Sequence, residues 1–451
     1  MKQTTLLLSF LLLIFCSCNQ DVDDDYTTIQ ESELDLLLER SIDVASNGEG
    51  AGFFTLPESG DYNSIPQDPL NPITQDKVDL GRLLLHETGM GGKPKMNDRK
   101  FQYACATCHP VASAFASGRR QGVGEGGIGF GLKGEGRLAD LEMPLDSLDV
   151  QPVRVPTLLN LAYQDVALWD GRFGGTGTNA GTEAGWDLIP ENFEGFQGIE
   201  VQAMQGQDEH RLLIDEYFID TFNYRVMFDA AFGDVPEEER YSRKTAALAI
   251  AAYNRTLLSN EAPWQAYLKG DLEAMSDREK RGAIVFMNEG KCVQCHTGPA
   301  LKDRSFHAMG FADFDNAPDA IVKPDVDMSL VTRGRGSFTG NPQDDYKFKT
   351  PTLYNLVDTE FYGHGSSFSS VLDVVRYKNN GAPQNTNVPS SQLASQFGNL
   401  GLSENQMNDL TVFIERSLRD SNLVRYVPEE VNSGFCFPAN DAQARIDIGC
   451  D

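Results

Sequence analysis

Two pentapeptides carry the residue types and spacing of one specific chemistry. Cys105-Ala-Thr-Cys108-His109 and Cys292-Val-Gln-Cys295-His296 are both C-x-x-C-H, the signature of covalent c-type haem attachment. Residues three apart lie on one face of a helical turn, so both thiols can reach the two vinyl groups of one porphyrin. The histidine that follows comes under the iron as its proximal ligand. A zinc ribbon would place its C-x-x-C pairs about 15–20 residues apart, whereas 187 positions separate Cys105 from Cys292. A thioredoxin-like pair needs no histidine directly after its second cysteine, nor needs it twice. The cofactor read from these motifs is two covalent haems c, held by Cys105, Cys108, Cys292 and Cys295 with His109 and His296 on the irons.

The elements that must position them also come in duplicate. Val155-Pro156-Thr157-Leu158-Leu159-Asn160-Leu161 matches Thr350-Pro351-Thr352-Leu353-Tyr354-Asn355-Leu356. Thirteen residues after each Pro stand Trp169 and His364, and seventeen after stand Phe173 and Phe368. Self-similarity at so long a period reads as two homologous domains. Helices are predicted over Asp76–Leu85 and Ser276–Phe286, one before each haem motif, the latter opening on a Ser276-x-x-Glu279 capping box. Ser242–Leu258 and Ser403–Leu418 are predicted to close the two domains; Leu410, Phe413, Ile414 and Leu418 recur at helical spacing. Strand signals are scarce, so the fold class is mainly α, with long loops.

Composition bounds the partners. The 451 residues include 66 acidic and 38 basic side chains, a formal charge of −28. That argues against nucleic acid, whose phosphates draw on Lys and Arg, and favours a basic protein partner. With 40% hydrophobic residues the chain can bury a core, which excludes wholesale disorder. The eight cysteines fall in four pairs. Cys16 and Cys18 follow an apolar run, Leu6 to Phe15, too short to span a bilayer and suited to an export signal. Phe15-Cys16-Ser17-Cys18 resembles a lipoprotein signal, with Ser17 before a lipidated Cys18. Residues 1–17 then form the signal and residues 18–50, acidic from Asp21 to Asp25, a tether and N-terminal segment. The membrane enters only through that anchor, and the protein is exported to the periplasm or cell surface. Cys436 and Cys450 can close a 15-residue loop in the 426–451 tail, a disulfide worth roughly 3 kcal/mol in an oxidising compartment.

Taken in order, Leu80-Gly81-Arg82, both C-x-x-C-H motifs, Leu168-Trp169-Asp170-Gly171-Arg172, Phe306-His307 and Phe348-Lys349-Thr350-Pro351-Thr352-Leu353 resemble the bacterial diheme cytochrome c peroxidases. The wider family includes the diheme oxidase that matures methylamine dehydrogenase. The resemblance runs over residues 75–420. It implies two tandem cytochrome c-like domains, at 51–270 with the peroxide-reacting haem and at 271–425 with the haem that receives electrons. Trp169 matches a Trp that lies between the two haems.

Departures from the family pattern are informative too. Many members carry a distal His after the first haem motif, yet residues 110–155 contain none, and Gly122 to Gly136 holds eight Gly in fifteen residues. That loop fits G-x-G-x-x-G but follows no strand, so dinucleotide binding is set aside. Near the second haem, Gly363 stands where the resemblance places an axial Met. His364 is the first choice of ligand, with Tyr362 and Met309 as alternatives, and loss of Met lowers the potential. Cleaving peroxide needs an acid–base group on the open iron face. Gln202 resembles the family Gln, and Glu209 or His210 beside it would serve as the acid–base residue. Arg154 stands where many relatives use Asn to help hold calcium, so calcium is only an option here.

The reading is reduction of hydrogen peroxide to water, with electrons from a small cytochrome c or cupredoxin entering at the second haem and passing Trp169. The runner-up is a diheme oxidase acting on a protein or organic substrate through high-valent haem iron; a non-enzymatic electron carrier is the third reading. The family also suggests a homodimer. With no distal His in the loop, the oxidised first haem is expected to be five-coordinate or water-bound and therefore high-spin. A low-spin, bis-His spectrum for that haem would contradict this.

Overall fold

Each half is organised by a pair of helices that cross at a glycine. In a computed structural model that describes residues 31–450, the Gln75–His86 helix starts where the Thr74 hydroxyl accepts the Lys77 N–H. It buries Val78, Leu80, Leu84 and Leu85 and packs on the Arg243–Thr256 helix, capped by Ser242. A Cβ on Gly81 would lie 2.0 Å from the Ala249 carbonyl oxygen, so only glycine lets these two backbones meet. The second half repeats the device. The Asp277–Met287 helix opens on the Ser276/Glu279 capping box and packs on the Glu404–Val412 helix. There a Cβ on Gly282 would fall 2.1 Å from the Asp409 carbonyl oxygen.

Three of the four helices match their predicted ranges to within two residues at each end. The fourth does not run as one α-helix to Leu418. It becomes a π-turn over Phe413–Ser417, where the Ser417 hydroxyl reaches Glu279 of the facing helix at 3.2 Å. Among the described residues the strands form two short antiparallel pairs, Gly127–Ile128 with Leu138–Ala139 and Phe306–His307 with Phe348–Lys349. The mainly helical architecture with long loops is therefore present.

Within the 18–50 tether and N-terminal segment, Glu31–Ala45 is a helix that buries Leu34, Leu38 and Ile42 against the Asp277–Met287 helix. Asp35 fixes it there, pairing with the buried Lys280 at 2.9 Å and accepting the Tyr267 hydroxyl. Cys18 and the signal lie outside the described residues, among which no helix is long and apolar enough to cross a membrane.

The tail is stapled as expected, with Cys436 bonded to Cys450, and it returns to the first half. Thr107 inside the first haem motif donates to the Pro438 carbonyl. Asp441 and Asp447 accept main-chain N–H groups of Gly129, Phe130 and Gly131. The buried Arg137 ties Asp441 to the carbonyls of Val123, Gly124 and Gly129. The glycine-rich loop is thus wrapped round an arginine and the tail, with its carbonyls turned to a cation.

Gly81→Ala and Gly282→Ala should each destabilise the holoprotein by at least about 1–3 kcal/mol, the usual range for overpacking. Gly52→Ala, with open space at its Cβ, should stay within about 0.5 kcal/mol of the parent. Thermal unfolding of the three variants checks this.

Candidate active site

Both proximal histidines are held by the same local device. His109 Nδ1 lies 2.8 Å from the Phe115 carbonyl, and His296 Nδ1 lies 3.1 Å from that of Leu301. A carbonyl only accepts, so Nδ1 carries the hydrogen and Nε2 keeps the lone pair an iron needs. The P-T-L repeat supplies the next layer. Thr157 donates to the Ala114 carbonyl at 2.6 Å and Thr352 to the Ala300 carbonyl at 2.8 Å, in each case the residue before the one that holds the histidine. Asn160 and Asn355 both adopt φ 57°, ψ 28°, a left-handed conformation asparagine tolerates. Their N–H groups bond the carbonyls of Leu257 and Leu418, where the closing helical segments end. Burial pushes His109 down to about 4 and His296 down to about 3, so both imidazoles are neutral at ordinary pH.

The space around the second motif fits a haem. Cys292, Cys295 and His296 border one continuous, predominantly apolar cavity that extends to Trp169, Gln202 and His364. Three cations also line it: the buried Arg154 and Lys302 and the half-buried Lys349. Both lysines donate to Gln164 Oε1, at 3.1 and 2.7 Å. Burial pushes Lys302 far down, Lys349 down to about 8 and Arg154 down to about 10. Among the described residues no ion pair involves any of the three. Buried cations without counter-ions are costly, and the two propionates a haem carries are the anions this cavity lacks.

Over the first motif the polar groups are different. The glycine-rich loop passes so close that a Cβ on Gly122 would lie 2.9 Å from Cys108 Sγ, and one on Gly124 2.0 Å from Asp149 Oδ2. Asp149 is almost wholly buried and lies 2.9 Å from His210 Nδ1. His210 follows the Gly198–Glu209 helix as its C-cap and has a third of its side chain exposed. Burial opposes its charge, but the facing Asp149 outweighs burial and raises its pKa. Burial likewise works against the Asp149 carboxylate, which His210 and Arg211 nevertheless hold below the usual range. The charge of His210 is felt at the His109 imidazole, and that of Asp149 at both thiols, Cys105 and Cys108.

The other expected residues separate. Gln202 borders the cavity together with Ile199, on a helix anchored by the fully buried Glu200–Arg255 ion pair at 2.7 Å. Glu209 is exposed and accepts from Gln151 at 3.0 Å. Trp169 sits at the junction of the halves: its Nε1 donates to the Arg154 carbonyl at 2.8 Å, and its ring meets the His364 ring edge-on at 6.3 Å. The Arg154 N–H in turn donates to the His364 carbonyl. His364 is buried, stacked on Phe348 with ring centres 3.7 Å apart, and its Nε2 lies 3.1 Å from Asp313. Tyr362 donates its hydroxyl to the carbonyls of Leu356 and Thr359. Asp149, Lys302 and Lys349 escaped the sequence reading. No motif marks Asp149, and the two lysines are recognisable only once the cavity brings them together.

A family model described as di-haem cytochrome c peroxidase matches residues 75–273. The methylamine utilization protein MauG of Methylophilus methylotrophus is 27% identical over 356 residues, covering 78% of this chain and 85% of its own. The cytochrome c551 peroxidase of Pseudomonas aeruginosa is 27% identical over 309 residues, covering 68% of this chain and 73% of its own. Among solved structures, the diheme peroxidase BthA from Burkholderia thailandensis superposes with a TM-score of 0.53 at 16% identity, over 80% of this chain and 89% of that one. A MauG-like protein associated with microbial copper homeostasis gives 0.54 at 22%, over 82% and 96%. These structural likenesses concern the fold alone. With two C-x-x-C-H centres clamped alike and matches of this extent, the chain is similar to the di-haem cytochrome c peroxidases, whose family model matches residues 75–273.

Proposed function

We propose that the protein reduces hydrogen peroxide to water at the first haem, with electrons that arrive at the second from a small basic cytochrome c or cupredoxin. The observation that carries the reading is the His210–Asp149 pair, 2.9 Å apart beside the glycine-rich loop that closes over Cys108 and brings no competing histidine. When bound, the haems supply redox-active iron for peroxide and a relay for its two electrons. Asp149 fixes the His210 ring through Nδ1 and keeps it charged, so Nε2–H is the group left to give a proton to the departing peroxide oxygen, with solvent restoring it afterwards. Gln202 is assigned to the peroxide only by its resemblance to the family Gln, since it borders the cavity of the second motif. Trp169, between the halves, lies on the electron route. Export with a lipid on Cys18 would put the protein where c-type haem is attached, and the charge of −28 would steer a basic donor to it. Calcium has no place in this proposal, because the buried Arg154 brings positive charge where relatives use an asparagine.

A second reading, oxidation of an organic or protein substrate, is favoured by one feature: Gly363 replaces the axial Met. It is separated from the first by whether peroxide oxidises a reduced cytochrome at all.

His210→Asn should lower kcat/KM for peroxide by about 10²–10⁴, the ordinary contribution of a positioned acid–base group. Loss of activity in Glu209→Gln with His210→Asn still active would transfer the role to Glu209. Since Asp149 raises the His210 pKa, the proton stays on above the usual imidazole value of about 6.5. The pair's contribution to stability is complete between the ordinary Asp and His values, about 3.9 and 6.5. It fades as pH rises through the raised His210 value and as pH falls through the depressed Asp149 value. Asp149→Asn should shift the corresponding limb of the pH–rate profile downward.

A further inference from the structure

The Val371–Asn380 helix turns one face to the second haem cavity. Val371, Val374, Val375 and Lys378 all border it, and their spacing of i, i+3, i+4 and i+7 is that of a single helical stripe. Three of the four are apolar, as a haem face requires; the fourth ends in an amine. The charge next to it on the helix is occupied elsewhere, since Arg376 pairs with Glu404 at 2.9 Å. Among the described residues, no hydrogen bond or ion pair engages Lys378. Lys378 thus borders the same cavity as Cys292, Cys295 and His296 with its amine unengaged, whereas Lys302 and Lys349 share Gln164.

Two of the other ligand candidates are less free. His364 Nε2 is held at Asp313, whose second oxygen accepts from Asn385 at 2.7 Å, and the Tyr362 hydroxyl is spent on two carbonyls. We infer that the Lys378 amine is the second axial ligand of the second haem iron, completing the coordination that His296 begins. The ammonium gives its proton to solvent and its nitrogen lone pair forms the bond to iron; no electron changes hands. This rests on the two-haem reading above but not on peroxide being the substrate.

The test uses the oxidised holoprotein without peroxide, followed by EPR and near-infrared magnetic circular dichroism, with haem content as the check on folding. The wild type should show a low-spin second haem with nitrogen ligation and no red charge-transfer band of a thioether. Lys378→Ala should turn that haem high-spin and leave the first unchanged. Lys378→Met should restore low spin, add the thioether band and raise the second haem's potential, because Met ligation does so; it decides the matter if the Ala variant fails to load haem. A thioether band in the wild type would assign Met309 instead, and a phenolate band Tyr362. An unchanged spectrum in both Lys378 variants, with low spin lost in His364→Asn, would assign His364. Any of these overturns the inference. Peroxide turnover of the wild type is measured apart, so an amine-ligated protein that does not turn over peroxide fails the functional reading and keeps the ligand.

Discussion

Each proximal imidazole gives its Nδ1 hydrogen to a main-chain carbonyl, at 2.8 Å in the first half and 3.1 Å in the second, and the rest of each domain is arranged so that this carbonyl stays still. A net hydrogen bond of this kind contributes only about 0.5–1.5 kcal/mol, yet it settles which nitrogen meets the iron and at what angle. The threonines of the two P-T-L segments lock the preceding carbonyl, the left-handed asparagines tie those segments to the closing helices, and the helices meet at Gly81 and Gly282. A long chain of small requirements therefore ends at one ring orientation, built twice.

The halves differ where the chemistry must differ. Round the first motif the chain places a carboxylate and an imidazole that hold each other in the charged form. Round the second it places an apolar stripe and cations without counter-ions. A site that moves protons needs the former. On the proposed reading the second site only passes electrons, and such a site gains from excluding water and from anchoring propionates. Between them, the Arg154 main chain accepts from Trp169 and donates to His364, so the two cofactor sites share one rigid seam.

Much of this was legible in the residues. C-x-x-C-H and P-T-L-x-N-L gave the two centres and their duplication, the Ser276-x-x-Glu279 box gave a helix start, and Cys436 and Cys450 gave the staple. What was hidden depended on direction and distance. Glu209 and His210 are adjacent, but one is the last helical residue and turns to solvent while the other is the cap and turns to Asp149. Leu34, Leu38 and Ile42 have helical spacing, but residues 18–50 read only as a tether and N-terminal segment, with no helix placed in them. Lys302 and Lys349 look like ordinary surface lysines until the Phe306–His307 and Phe348–Lys349 strands bring their segments together at Gln164. The G-x-G-x-x-G loop is the opposite case, a pattern with a familiar shape whose carbonyls serve Arg137.

The division of labour is tested most directly by mixing the fully reduced holoprotein with one equivalent of hydrogen peroxide and following each haem by its own absorption band. The predicted result is oxidation of both haems in a single event, one electron from each, as peroxide takes two electrons and two protons to become two waters. Oxidation of the first haem alone, with the second left reduced, would contradict it.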